Sequence, residues 1–153
     1  MKTLTLSLSL LFLAACGSSG PGTTSVPGHG ALSVEIIPNP VVARQVSGDM
    51  YDIPFEVVVR ETGGSAVEIS RVSATATLPG GFSIDIDEWD AARIRSMGYS
   101  TSVPANGQLR YRFTPRREVP EAVFNGVTAR LLVEGRDTSG TETTASTTVT
   151  VRR

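Results

Sequence analysis

The chain has 153 residues, with 14 Lys plus Arg against 15 Asp plus Glu, a formal net charge of −1, and only one cysteine, one histidine and one tryptophan. So even a charge balance gives no electrostatic reason to expect nucleic acid or an anionic lipid surface as a partner. A lone cysteine excludes an intrachain disulfide and, with a lone histidine, a His/Cys zinc cluster, so the fold must be stabilised by burial.

The first segment carries Lys2, runs apolar from Thr3 to Ala15 and closes on Leu13-Ala14-Ala15-Cys16. A basic start, an apolar stretch and small residues ahead of a cut site describe a secretory signal peptide. Residues 3–15 are too few for a membrane-spanning helix, which needs about 20, and Thr3, Thr5, Ser7 and Ser9 interrupt them. The ending resembles the lipobox of bacterial lipoproteins, in which the cysteine takes up a diacylglyceryl group and becomes the new N-terminus. That resemblance implies removal of residues 1–15, lipidation at Cys16 and a membrane partner reached through the N-terminal anchor. Stable anchoring takes more than one acyl chain, at about 0.8 kcal/mol per buried methylene. In Gram-negative members an Asp after the cysteine favours the inner membrane, so Gly17 implies the outer membrane, on its periplasmic or its surface face.

Residues 16–30 continue as Gly-Ser-Ser-Gly-Pro-Gly-Thr-Thr-Ser-Val-Pro-Gly-His-Gly after the cysteine, with almost nothing to bury. This composition predicts a flexible tether with a reach of roughly 20 Å. His29 falls in it and reads as a solvated residue, which leaves no Ser-His-Asp arrangement for nucleophilic catalysis.

From Ala31 to residue 153 the period becomes two. Leu32, Val34 and Ile36 alternate with polar residues until Pro38-Asn39-Pro40 ends the strand. Tyr51, Ile53, Phe55, Val57 and Val59 share one face of the next strand, and Pro54 on the other face marks an edge or a bulge. Between Val67 and Leu78 the apolar phase changes, which predicts a bulge near Ser70-Arg71. Pro79-Gly80-Gly81 turns the chain into Phe82, Ile84 and Ile86, expected to face inward together. Three further strands run through Leu109-Phe113, Val127-Val133 and Thr147-Val151.

About seven alternating strands separated by Gly and Pro turns predict an all-β, antiparallel sandwich over 31–153. The stretch from Val127 through Asp137-Thr-Ser-Gly140 into a Thr/Val strand resembles the last hairpin of bacterial immunoglobulin-like and fibronectin-III-like domains. The resemblance implies an immunoglobulin-like sandwich. Two features depart from it: the paired cysteines of antibody-type domains are missing, and the tyrosine-corner position holds Phe124.

One stretch breaks the strand pattern. Asp87 as a cap, Asp90 three residues on, Arg93 and Arg95 near the end and Gly98 as a stop predict a short helix near 88–97. Trp89, Ala92 and Met97 would share its inward face. Asp85, Asp87, Glu88 and Asp90 are a weak calcium candidate, since oxygen ligands suit that ion but the alternate spacing, Gly and distal Glu of an EF-hand loop are missing. Asp85 and Asp87 on one outward strand face would also be the pair for a carboxylate-dependent hydrolase. No cofactor motif is present. The leading expectation is therefore a lipid-tethered, non-catalytic module of the cell envelope that contacts a protein partner through a sheet edge, Trp89, Tyr99 or the Arg110/Arg112 strand, where Arg116 and Arg117 extend a basic patch. The competing expectation is a glycan-binding lipoprotein that stacks sugars on Trp89, Tyr99 or Tyr111.

Overall fold

The computed structural model describes residues 28–120, 124 and 127–153. In chain order the elements are β1 Leu32–Ile37, β2 Val41–Val42, β3 Arg44–Ser47, β4 Met50–Asp52, β5 Phe55–Glu61, β6 Val67–Thr77, β7 Ser83–Asp90, α1 Ala91–Ser96, β8 Ser102–Val103, β9 Gln108–Phe113, β10 Arg116–Glu118, β11 Thr128–Asp137 and β12 Glu142–Arg152. The long strands β1, β5, β6, β7, β9, β11 and β12 are the seven that the alternation predicts; the others are short. They form a three-stranded sheet β1-β5-β9 and a larger sheet β2-β12-β11-β6-β7, with β8 added to β6, and β10-β4-β3 makes a small third sheet. Pairing is antiparallel except between β2 and β12, which run parallel. The inward residues of the two main sheets, among them Val57, Val59, Tyr111 and Phe113 opposite Val72, Leu131 and Val133, meet in one core. The fold is an all-β sandwich.

Pro54 explains why the predicted strand over 51–60 divides. Lacking an N–H it cannot donate to a ladder, so the chain breaks between β4 and β5 and serves two different sheets. Ile53 donates instead to the Pro115 carbonyl at 3.0 Å. Val58, expected to point outward, is fully buried. It lies across from Glu35 and Arg110, whose aliphatic stems can cover it.

Two bulges set the faces of β6 and β7. On β6, Arg71 pairs with Glu134 but Ile69 pairs with Gly135, leaving Ser70 as the extra residue, as the phase change predicts. Gly135 is required there, because a Cβ on it would sit 2.7 Å from the Glu68 carbonyl oxygen. On β7, Asp87 pairs with Ala74 and Asp85 with Thr75, so Ile86 is extra. This second bulge overturns the expectation that Asp85 and Asp87 share the outward face, while Ile84 stays inward opposite Ala76 and Ile86 still packs against the core. Asp87 now stands on the inner side of the sheet, opposite Ala74, while Asp85 stays on the outer side with Thr75.

The bulge also carries the strand further than the helix prediction allows. β7 runs through Asp90, and α1 begins only at Ala91, with the Asp90 side chain accepting from the Arg93 N–H at 2.7 Å. Asp90, not Asp87, is the cap. Trp89 belongs to the strand opposite Val72. The buried residue of α1 is Ile94, whereas Met97 and Ala92 are exposed. Gly98 stops the helix at φ 84°, as expected.

Candidate functional site

Cys16 and most of the 16–30 segment lie outside the described residues. The other predicted site residues are scattered and engaged. Trp89 is 2% exposed and stacks on Phe113 with ring centroids 4.1 Å apart, with the Arg93 guanidinium 5.5 Å over its ring. Tyr111 is buried and donates to the Ser100 carbonyl at 3.0 Å; burial, with the Glu68 charge, raises its pKa well above the ordinary value. The Tyr99 hydroxyl accepts from the Arg112 N–H at 3.2 Å and lies 3.3 Å from the Arg112 carbonyl, covering the outer edge of β9. A ring must be exposed to stack on a sugar, so the buried Trp89 and Tyr111 offer no platform, while Tyr99 is half-buried with its hydroxyl held at β9. Arg110 and Arg112 both bind Glu56, at 2.5 and 3.1 Å, and the hydrogen bond from Arg112 followed by that from Arg110 holds the Glu56 carboxyl below its usual range. Arg116 makes a two-pronged contact with Asp52 at 2.7 and 3.0 Å. The predicted basic patch is a set of ion pairs.

The four carboxylates of the calcium candidate are each engaged elsewhere and do not converge on one point. Asp90 caps α1, Glu88 faces Arg71 at 3.4 Å, Asp85 accepts from Thr75 at 3.4 Å, and Asp87 takes Arg93 at 2.7 Å and Arg117 at 3.2 Å. Burial pulls the Asp87 carboxyl upward, but the Arg93 hydrogen bonds, the Glu88 N–H and the two guanidinium charges outweigh it and leave the group below its ordinary value. With Asp85 and Asp87 on opposite faces, the two-carboxylate geometry of a hydrolase is lost. Among the described residues no group of three His, Cys, Asp or Glu side chains is placed to hold a metal.

At one pole of the sandwich, where β11 turns into β12, the structure assembles something the sequence did not lead us to expect. The Asp137 carboxylate accepts from the N–H groups of Gly30, Ser139 and Thr141 at 2.9 Å each and from the Ser139 hydroxyl at 2.6 Å. The Ser139 hydroxyl bond is the largest cause of its strongly lowered pKa, followed by the Gly30 N–H. Beside it, the buried Glu61 accepts from Ala31 at 3.1 Å, Asn106 at 2.7 Å and both Gly63 and Gly64. Burial pushes Glu61 up, and these four N–H groups more than reverse it, lowering its pKa. Two carboxylates thus clasp consecutive N–H groups of the entering chain. The crossing is tight: a Cβ on Gly63 would lie 2.0 Å from the His29 carbonyl oxygen.

His29, expected in a solvated tether, is part of this clasp, and it meets Ser139 and Asp137 after all. The geometry is not that of a catalytic triad. One and the same atom, Nδ1, faces the Ser139 hydroxyl at 3.4 Å, the Thr141 hydroxyl at 3.3 Å and Asp137 at 3.4 Å. A triad needs the carboxylate on one ring nitrogen and the nucleophile on the other.

The opposite pole holds a cavity of about 160 Å³ between the sheets. Its cause is a run of small side chains. Across the inner face, Ile84, Ala76, Ala129 and Val149 stand in register, with Ala74 in the next row. Three alanines leave space that the facing Ile36 and Phe55 do not fill. Ile84 to Ile86 of β7 border it on one side and Arg117 to Val119, in and just after β10, on the other. The strands are bridged there by Arg117, which donates to the Ile86 carbonyl through Nε at 3.0 Å and Nη2 at 2.5 Å while pairing with Asp87. Phe82 and Ile84 beside the cavity are 73% and 51% exposed.

No protein-family model matches the sequence, and no curated protein does. Among solved structures the chain is similar to a Bordetella pertussis protein assigned as ApaA, with 13% identity over 84% of this chain and 99% of that one and a TM-score of 0.58. It is also similar to a structural-genomics target designated SoR45, at 13% identity, 77% and 85% coverage and a TM-score of 0.52. A CARDB domain from Pyrococcus furiosus follows at 19% identity and a TM-score of 0.40, covering 82% of this chain and 90% of that one, too loose a likeness to build on. At such identities the likeness concerns the fold alone.

Proposed function

We propose that the protein is a lipid-anchored, non-catalytic binding module of the bacterial cell envelope, held at its clasped pole and presenting the cavity pole to a protein partner. The observation that carries this reading is the placement of the two ends. The chain enters beside Asp137 and Glu61, while the cavity, with Ile84 on its lip and the exposed Phe82 two residues before it, lies at the far ends of β1, β6, β11 and β12. A module tethered through its N-terminus needs that attachment, and a free surface facing away from it. The lipobox-like Leu13-Ala14-Ala15-Cys16 supplies the anchoring half of the reading. Among the described residues no helix is long and apolar enough to cross a membrane.

Two measurements test the two halves. Metabolic labelling with palmitate should mark the wild type and not Cys16→Ser, and the variant should leave the membrane fraction. Unlabelled wild type, or unchanged fractionation of the variant, refutes the anchor. For the second half, a photo-crosslinking residue is placed at Phe82 or, at the clasped pole, at Thr138 in intact cells. A discrete protein adduct should form from position 82 and be lost with Ile84→Asp. Adducts only from position 138 would reverse the proposed orientation.

A further inference from the structure

We infer that the exposed edge of β3 pairs with the same edge of a second copy of this chain, antiparallel and two-fold, with Arg44 of each copy opposite the partner's Asp49.

The edge is open. β10, β4 and β3 form a sheet of three short strands, and β3 ends it on the side away from β10. All four residues of Arg44–Ser47 are exposed, as are Gly48 and Asp49 in the turn that follows. A terminal strand leaves backbone N–H and C=O groups without a neighbour, and proline or lysine commonly blunts it. β3 has neither, and its one charge is Arg44. A bulge is another blunting device, but here the extra residue is Val46, whose apolar side chain it leaves 48% exposed on the edge.

Charge selects the occupant. Across the base of the small sheet, Arg44 and Arg116 both stand opposite Asp52, which Arg116 holds with both prongs. Across its tip, Ser47 and Glu118 both stand opposite Met50, and Asp49 is the residue before it. Arg44, Asp49 and Glu118 form no ion pair among the described residues. Two arginines against one aspartate leave the base positive, and Asp49 with Glu118 makes the tip negative. Two copies related by a two-fold axis meet base to tip, so each end faces its opposite. A foreign strand would have to bring both signs in the right order; a second copy has them by symmetry. The register that sets Arg44 against the partner's Asp49 also sets Gln45 against Gly48 and Val46 against Ser47. An opposite-charge pair so placed is a stabilising cross-strand contact, and the symmetry makes it twice.

The contact is small. An edge of four residues falls well short of the roughly 1,200 Å² of a stable interface, so free copies meet weakly. Anchoring in one membrane plane supplies the local concentration they lack, and this step alone rests on the anchored reading proposed above.

The test runs in intact cells on the whole chain, with the parent, whose only cysteine is Cys16, as the blank. Val46→Cys and Ser47→Cys forms are produced together and oxidised. A disulfide dimer joining positions 46 and 47 should appear at a level that Thr138→Cys, at the clasped pole, does not reach. Arg44→Glu or Asp49→Arg, carried by both partners, should each cut that dimer about tenfold, because both cross-strand pairs turn from attractive to repulsive. A mixture in which one partner carries Arg44→Glu and the other Asp49→Arg should restore it, since each reversed charge then meets its opposite across the axis. All these positions are exposed, so the core is untouched. A dimer no stronger than that from Thr138→Cys, a yield indifferent to either reversal, or a mixture that fails to restore it would each overturn the pairing. Palmitate labelling reads the anchor separately. Dimers from an unlabelled chain would keep the pairing and remove the anchor, and labelled chains without dimers would do the reverse.

Discussion

Glu61 and Asp137 show how much a single acceptor group can organise when it is withdrawn from water. Glu61 satisfies four N–H groups drawn from three separate stretches of chain. Glu61→Ala orphans those donors and should cost about 2 kcal/mol, read as a lower urea midpoint. The pH dependence has a definite sign. The folded-state pKa of Glu61 lies below its ordinary 4.5, so its stabilisation is fully present above that value and fades as pH falls through the folded one. Asp137 behaves in the same direction. The gap between wild type and Glu61→Gln should therefore be constant at neutral pH and close below about pH 4. A gap that persists unchanged to about pH 2 would show that the carboxylate charge is not what the clasp uses.

At the scale of elements, the informative positions are those where a periodic strand loses its period. The bulge at Ser70 was legible because the apolar residues on either side of it fall out of phase by one. The bulge at Ile86 was not, since Ile84 and Ile86 keep perfect alternation with Asp85 and Asp87. There the pairing partner decides: Trp89 opposite Val72 and Ile84 opposite Ala76 cannot both hold without one extra residue on β7. The same slip moved the helix cap from Asp87 to Asp90. Asp90→Ala should cost about 1 kcal/mol in thermal unfolding, the usual worth of an N-cap, and leave the sheet intact. Asp87→Asn should act elsewhere, loosening Arg93 and Arg117 without shortening α1, which amide exchange across Ala91–Ser96 would reveal.

For the whole molecule, the sandwich is unevenly filled. Near the clasp Val67, Ile69, Val72 and Val133 are completely buried, whereas the far half of the same sheet presents Ala74, Ala76 and Ala129. A core that spends no volume at one pole forgoes stability there. Ala129→Leu should recover about 1 kcal/mol by filling the space, seen as a higher melting temperature. A drop in melting temperature instead would mean that the alanines are needed by the packing and do not mark vacant space.

The seven long strands, the sandwich class, the Ser70 bulge and the turn at Asp137-Thr-Ser-Gly140 could all be read from the chain, because each depends on neighbours close in sequence: alternation and turn chemistry. The pairing of Arg110 and Arg112 with Glu56, the burial of Trp89, the capture of His29 by the β11–β12 turn and the cavity could not. Each joins residues far apart along the chain, and which of them meet is decided only when two sheets close over one another and register assigns every side chain a facing partner.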